Sequence, residues 1–112
     1  MYYIYMLKCV DGSLYTGSAR DVKKRIKEHF TKSPKCAKYT RSHPPKEVVA
    51  IWCCDTKSEG AKVEYYIKTL TKEQKVLLYT KNEAPESILE RLDGIVLSRI
   101  TGKEFSEIID FS

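Results

Sequence analysis

No stretch of this 112-residue chain approaches the ~18 consecutive apolar residues of a membrane-spanning helix. Its opening, MYYIYMLKCVDG, lacks the basic, apolar and small-residue order of a secretory signal, so the expected location is the cytoplasm, with no membrane partner. Internal repeats and low-complexity segments are absent, which argues against fibrous and disordered classes. The four cysteines contain no C-x-x-C pair. Adjacent Cys53 and Cys54 would point to opposite faces of a strand and cannot easily share a tetrahedral ion. Cys9, Cys36, Cys53 and Cys54 therefore read as reduced thiols filling small apolar spaces. A cysteine-based metal or redox protein would instead carry stoichiometric zinc.

What is present fits one soluble domain: 42% hydrophobic and 31% charged residues give enough apolar matter for a modest core. The net charge of +5 is uneven. Through Lys81 there are 17 Lys and Arg against 8 Asp and Glu, a balance of +9; from Asn82 onward, 3 face 7, a balance of −4. Between Arg20 and Lys46, 10 basic side chains meet only Asp21 and Glu28, a stripe that attracts polyanions or simply keeps a surface solvated.

Tyr2 to Cys9 is an aromatic and β-branched strand, Asp11-Gly12 a turn, and Ser13 to Gly17 the returning strand. After Asp21, a plausible N-cap, Val22, Ile26 and Phe30 recur at steps of four and predict an amphipathic helix. Thr31 to Lys46, with Pro34, Pro44 and Pro45, reads as a loop or short irregular excursion. Glu47 to Cys54 is a third, buried strand. Capping boxes Thr56-x-x-Glu59 and Thr71-x-x-Gln74 open helices running through Leu70 and about Tyr79. Pro85 at N1 opens a short helix that Gly94 closes, and IVLSRI and KEFSEIIDF follow. The expected class is α+β, in the order ββαβαα, with a three-stranded antiparallel sheet of hairpin plus third strand. Residues 1–81 form the body, and residues 82–112 an acidic extension that packs on it or mediates association.

Tyr3-Ile4-Tyr5, Tyr15-Thr16-Gly17, Arg25-x-x-x-His29 and the later Glu64 stand in order over residues 2–80. Together they resemble the GIY-YIG nuclease domain, and within it the small stand-alone bacterial YhbQ-like group. LKCVDGSLYTG, the AKYTR of Ala37 to Arg41 and the EYYIKTLTKEQK of Glu64 to Lys75 carry the likeness. Tyr3 stands where glycine is usual in that family, and Thr16 where isoleucine is usual. The resemblance implies an endonuclease hydrolysing DNA phosphodiester bonds with one divalent ion, Mg²⁺ or Mn²⁺. Structured, nicked or single-stranded DNA is the implied substrate, and repair or recombination the setting. It further implies that Tyr5 accepts or relays the proton of the attacking water, Tyr15 holds water or phosphate, and Arg25 stabilises developing charge. His29 would contact phosphate or assist proton transfer, and Glu64 would bind the metal. Some family members have an asparagine after the glutamate, for which Asn82 is the downstream candidate. A non-catalytic nucleic-acid-binding module of the same fold is the alternative, and a repair protein is a conceivable partner of the extension.

The residues can be tested against that demand. Phosphodiester hydrolysis needs a nucleophilic water, a proton acceptor, positive charge on the pentavalent phosphorane and help for the departing oxygen. At ~100° per residue, Arg25 and His29 flank the buried face of the first helix, with Lys23, Lys24 and Lys27 opposite. An arginine aimed at the hairpin suits a phosphate or a structural bridge to Glu64. A two-residue Asp11-Gly12 turn would pair Tyr15 with Lys8 and send Tyr5 and Tyr15 to opposite faces. A three-residue Val10-Asp11-Gly12 loop, with Gly12 left-handed, pairs Tyr15 with Leu7 and Gly17 with Tyr5. Both phenols then share a face, or they are simply half-buried strand packing, and Gly17 leaves room for a phosphate beside Tyr5.

Glu64 should sit beside a seam of Ala61, Ile67 and Leu70, and a single carboxylate suits Mg²⁺. A phenol near pKa ~10 needs positive charge nearby to act as a base, from Arg25, the metal or Lys8. Lys32, Lys35, Lys38, Arg41 and Lys46, with Tyr39 for stacking, are suited to tracking a DNA backbone or single strand.

Overall fold

Alternating side chains let the first strand face two cores at once. In a computed structural model describing residues 1–31 and 37–111, β1 (Tyr2–Cys9) sends Ile4 and Met6 to one side and Tyr5 and Leu7 to the other, all four buried. β2 (Leu14–Ala19) returns antiparallel, pairing Tyr5 with Gly17 and Leu7 with Tyr15, the register of the three-residue loop. The Cys9 N–H donates to the Ser13 carbonyl (2.8 Å) and the Gly12 N–H to the Cys9 carbonyl (2.9 Å), with Gly12 at φ +85°. Only glycine enters that region cheaply.

The remaining elements are α1 (Val22–Phe30), α2 (Lys38–Ser42), β3 (Pro45–Cys54), α3 (Lys57–Lys68), α4 (Lys72–Lys81), α5 (Glu86–Arg91), β4 (Ser98–Arg99) and α6 (Gly102–Ile108). Asp21 caps α1 by accepting from the Lys24 N–H, and both threonine capping boxes form. The sheet order is β2-β1-β3-β4. On one face Ile4, Met6 and Trp52 pack with Val63 and Ile67 of α3, Leu78 of α4 and Ile88 of α5. On the other, Tyr5, Leu7 and Ile51 pack with Val22 and Ile26 of α1 and with Phe105 and Ile108 of α6. Cys53 and Cys54 divide between these faces, and Cys9, Cys53 and Cys54 are free thiols.

Several expectations change. Among the described residues the sheet has four strands, not three: Ser98 and Arg99, inside IVLSRI, pair with Cys53 and Trp52. Two residues are too few to show a period-2 pattern. Arg99 secures this edge, donating to the carbonyls of Val49 (3.3 Å) and Tyr79 (2.9 Å) with its guanidinium 5.3 Å from the Trp52 ring centroid. The stretch expected as loop holds α2 and the start of β3, because Lys38 to Ser42 close one helical turn without side-chain capping. Pro85 is the N-cap of α5 and not its N1 residue, since its ψ of 145° is extended while its carbonyl accepts from Ile88 and Leu89.

Ala61 is exposed, and the buried seam of α3 runs through Gly60, Val63 and Ile67. A Cβ on Gly60 would strike the Tyr2 ring, so this position lets α3 approach the sheet closely. Residues 82–112 supply Ile88 to one core and Ile100 to the other. Among the described residues no helix is long and apolar enough to cross a membrane.

Candidate active site

β2 is an edge strand, so groups from both faces of the sheet can meet around it. From the α1 face comes Tyr5, 1% exposed, whose ring lies across Gly17. A Cβ on Gly17 would sit 2.5 Å from the Tyr5 oxygen and 2.6 Å from Cζ. The room that Gly17 leaves is therefore filled by the phenol, and not held open for a phosphate as its spacing suggested.

One helical turn beyond Arg25, His29 is fully buried and its Nε2 lies 2.7 Å from the Tyr5 hydroxyl. Its Nδ1 lies 2.7 Å from Thr40 Oγ1, which itself donates to the Ala37 carbonyl (3.1 Å). Burial first, then the Arg25 charge, pushes the His29 pKa down to about 4, so the ring is neutral at pH 7. Tyr5 is raised well above the usual phenol range, first by burial and then by Tyr15; Arg25 opposes this through its charge and a hydrogen bond to the phenol. Arg25 also pairs with Glu28 at 3.1 Å within its own helix.

Tyr15 continues the cluster. Its ring centroid lies 6.4 Å from that of Tyr5 and 5.2 Å from that of His29. Tyr39 stacks on it at 5.7 Å, and His43 stacks on Tyr39 at 4.1 Å, with His43 Nδ1 2.8 Å from Asp11 Oδ2. Burial raises the Tyr15 pKa, and the Lys68 ammonium, 5.8 Å from the ring centroid, is the largest opposing cause.

From the opposite face, α3 brings Glu64 to the same edge. The Ser18 hydroxyl donates to Oε1, and Oε2 meets Lys68 Nζ at 2.7 Å. Glu64 raises the pKa of both Tyr5 and Tyr15 through its charge. Among the described residues no group of three or more His, Cys, Asp or Glu forms a metal cage. One hard, 22% exposed carboxylate suits a magnesium-like ion that retains most of its waters, and Lys68 already supplies a cation to it.

The residues brought together are thus Tyr5, Tyr15, Arg25, His29 and Glu64, with Tyr39 stacked at the rim. Lys38 and Arg41 lie on the exposed side of α2. Lys8 is not with them: it pairs with Leu14 and Glu47 toward the far end of β1 from Ile4 and Tyr5, whose β2 partners are Ser18 and Gly17. Asn82 caps α4 in a left-handed conformation (φ 55°) and accepts from Trp52 Nε1 at 3.3 Å. Lys32 and Lys35, expected on the backbone-tracking surface, and Cys36 lie outside the described residues.

Thr40, Ser18, Lys68 and His43 were not anticipated. Alternation could have sent Ser18 to the face opposite Gly17, and the spacing of Lys68 four residues after Glu64 marks an ion pair. Nothing in the sequence alone joins Thr40 to His29.

The GIY-YIG catalytic domain profile matches residues 1–76. A UPF0213 protein of Fusobacterium nucleatum is 39% identical over 94 residues, covering 84% of this chain and 89% of that one. Another, of Staphylococcus saprophyticus, is 46% identical over 80 residues, covering 71% and 95%. A solution NMR structure of a UPF0213 protein from Bacillus halodurans is 38% identical with a TM-score of 0.48, covering 83% of this chain and 98% of that one.

Proposed function

Because the chain belongs to the GIY-YIG catalytic domain family, a family of nucleases, we propose that it is an endonuclease hydrolysing DNA phosphodiester bonds with one bound divalent cation. The observation that carries this is the meeting of Tyr5, His29, Arg25, Tyr15 and Glu64 at the β2 edge. Glu64, with Ser18 beside it, is the ligand for Mg²⁺ or Mn²⁺, which when bound supplies Lewis-acid charge to the phosphate.

Tyr5 is too poor an acid to stand as a phenolate at pH 7, so it works as a relay. As water attacks phosphorus, its proton passes to the Tyr5 oxygen while the Tyr5 proton passes to His29 Nε2. The new P–O bond forms as the bond to the departing oxygen breaks, and that oxygen takes a proton from solvent. Arg25, hydrogen-bonded to the phenol, offers positive charge to the phosphorane, and Tyr15, its ring 6.4 Å from that of Tyr5, would hold the water or phosphate.

Exposed Lys38 and Arg41 suit a DNA backbone, while the Tyr39 ring is already stacked against Tyr15 and His43; nicked, branched or single-stranded DNA, as in cytoplasmic repair or recombination, is the substrate of this reading. In the same reading, residues 82–112 form an extension whose first task is to complete the two cores, with Ile88 and Ile100 only 8% and 5% exposed. Self-association or a repair partner would use its outer face.

The test is nicking of branched and supercoiled DNA with and without Mg²⁺, beside Glu64→Ala and Arg25→Ala. Metal-dependent cutting that both substitutions reduce by about a hundredfold or more supports the reading. Tight DNA binding with no wild-type cutting under any divalent ion makes the chain a binding module and overturns it.

A further inference from the structure

α2 has only five residues, yet it buries a polar one completely. Lys38, Tyr39 and Arg41 lie on the exposed side, while Thr40 is 0% exposed and its hydroxyl meets the inward ring of His29. A threonine hydroxyl has one hydrogen to give and two lone pairs. The Ala37 carbonyl, 3.1 Å away, can only accept, and with the hydroxyl hydrogen directed to it the Thr40 oxygen turns a lone pair toward His29. The Nδ1 atom, 2.7 Å away, then carries the imidazole proton. In a neutral ring this leaves Nε2 unprotonated, 2.7 Å from the Tyr5 hydroxyl and able to accept from it. The reverse tautomer would bring two lone pairs together at Nδ1 and Thr40, and two hydrogens together at Nε2 and Tyr5, unless both hydroxyls turned.

We propose that Thr40 is a positioning residue that holds His29 in its Nδ1–H tautomer, so that Nε2 stays open to receive the Tyr5 proton. Its effect on the ring follows from the hydrogen-bond geometry alone, whereas its effect on rate rests on the nuclease reading above. The same short helix carries Lys38 and Arg41 outward, so a strand lying on α2 would press on the element that sets the histidine.

The experiment is a long-range proton–nitrogen NMR spectrum of the ¹⁵N-labelled full chain at neutral pH, with His43→Gln assigning the two histidines. It is run for wild type, Thr40→Val and Thr40→Ser beside DNA binding and cleavage. The wild-type ring is expected protonated on Nδ1 only. Thr40→Val, nearly the same shape, should shift the ring toward the Nε2–H form and cut cleavage at least about tenfold at unchanged DNA affinity, a share of what acid–base catalysis contributes. Thr40→Ser should restore both.

A wild-type ring protonated on Nε2, or a Thr40→Val variant that keeps the wild-type tautomer, overturns the role of Thr40. An Nδ1–H ring that depends on Thr40 in a chain that cuts no DNA supports the positioning and overturns the nuclease reading instead. Should Thr40→Val fail to fold, the wild-type and Thr40→Ser spectra still decide, because an Nε2–H ring in either contradicts the proposal.

Discussion

The two sides of the β2 edge are built differently. On the α1 side, Tyr5, His29 and Thr40 are almost wholly buried and joined end to end by hydrogen bonds. On the α3 side, Glu64 and Lys68 are partly exposed, and their contacts are an ion pair and one hydroxyl. Proton movement needs fixed geometry within a few tenths of an ångström, whereas a cation must enter and leave. On the proposed reading, the difference gives this site a permanent half and an exchangeable half.

The largest blow to the permanent half is Tyr5→Phe, which deletes the hydroxyl proposed as the relay and leaves His29 Nε2 without its partner. Single-turnover cleavage is expected to fall roughly 10²- to 10⁴-fold at unchanged DNA affinity. A loss confined to binding would place Tyr5 in the substrate surface instead. Gly17→Ala attacks the same half by volume: the new methyl meets the Tyr5 ring, costing about 1–3 kcal/mol in denaturant unfolding and displacing the phenol from His29. A neutral result would mean that the ring has slack.

Acid probes the histidine. Its pKa is about 4 folded and ~6.5 unfolded, so between these values the unfolded chain binds more protons and stability falls as pH falls. From pH 7 to pH 5 His29 should cost about 2 kcal/mol, read as the difference in pH dependence between wild type and His29→Gln. Equal pH dependence in the two chains would show a solvated histidine. The smallest effect belongs to the exchangeable half. Lys68→Met removes the resident cation from Glu64 and should tighten Mn²⁺ binding severalfold, the scale of a partly exposed ion pair worth ~1 kcal/mol or less. Weaker binding in that variant would show that Lys68 supports the metal.

This division also explains what could be read beforehand. The hairpin register was legible because one three-residue loop alone brings Tyr5 and Tyr15 to one face. Arg25 and His29 followed from helical spacing, and both capping boxes from their own local chemistry. Thr40 was not legible, since its meaning lies in a contact with a ring 11 residues earlier, across a stretch without periodicity. β4 was hidden for the opposite reason: two residues carry no pattern, and its place depends on β3. Gly17 was assigned the right partner and the wrong purpose, because spacing shows that room is left but not what fills it. Asn82 is a candidate through the resemblance and Lys8 through its charge, and the fold makes one a helix cap and pairs the other with Leu14 and Glu47, away from Gly17 and Ser18.

If the two halves act on one phosphate, their losses must not multiply. The most direct measurement is a double-mutant cycle on the Mg²⁺-dependent cleavage rate of a nicked duplex, using Tyr5→Phe, Glu64→Gln and the pair. The double variant should be no more than a few-fold slower than the worse single variant, as for residues that work as a unit. Losses that multiply in full, or a wild-type rate that either single substitution leaves intact, would contradict a shared site at the β2 edge.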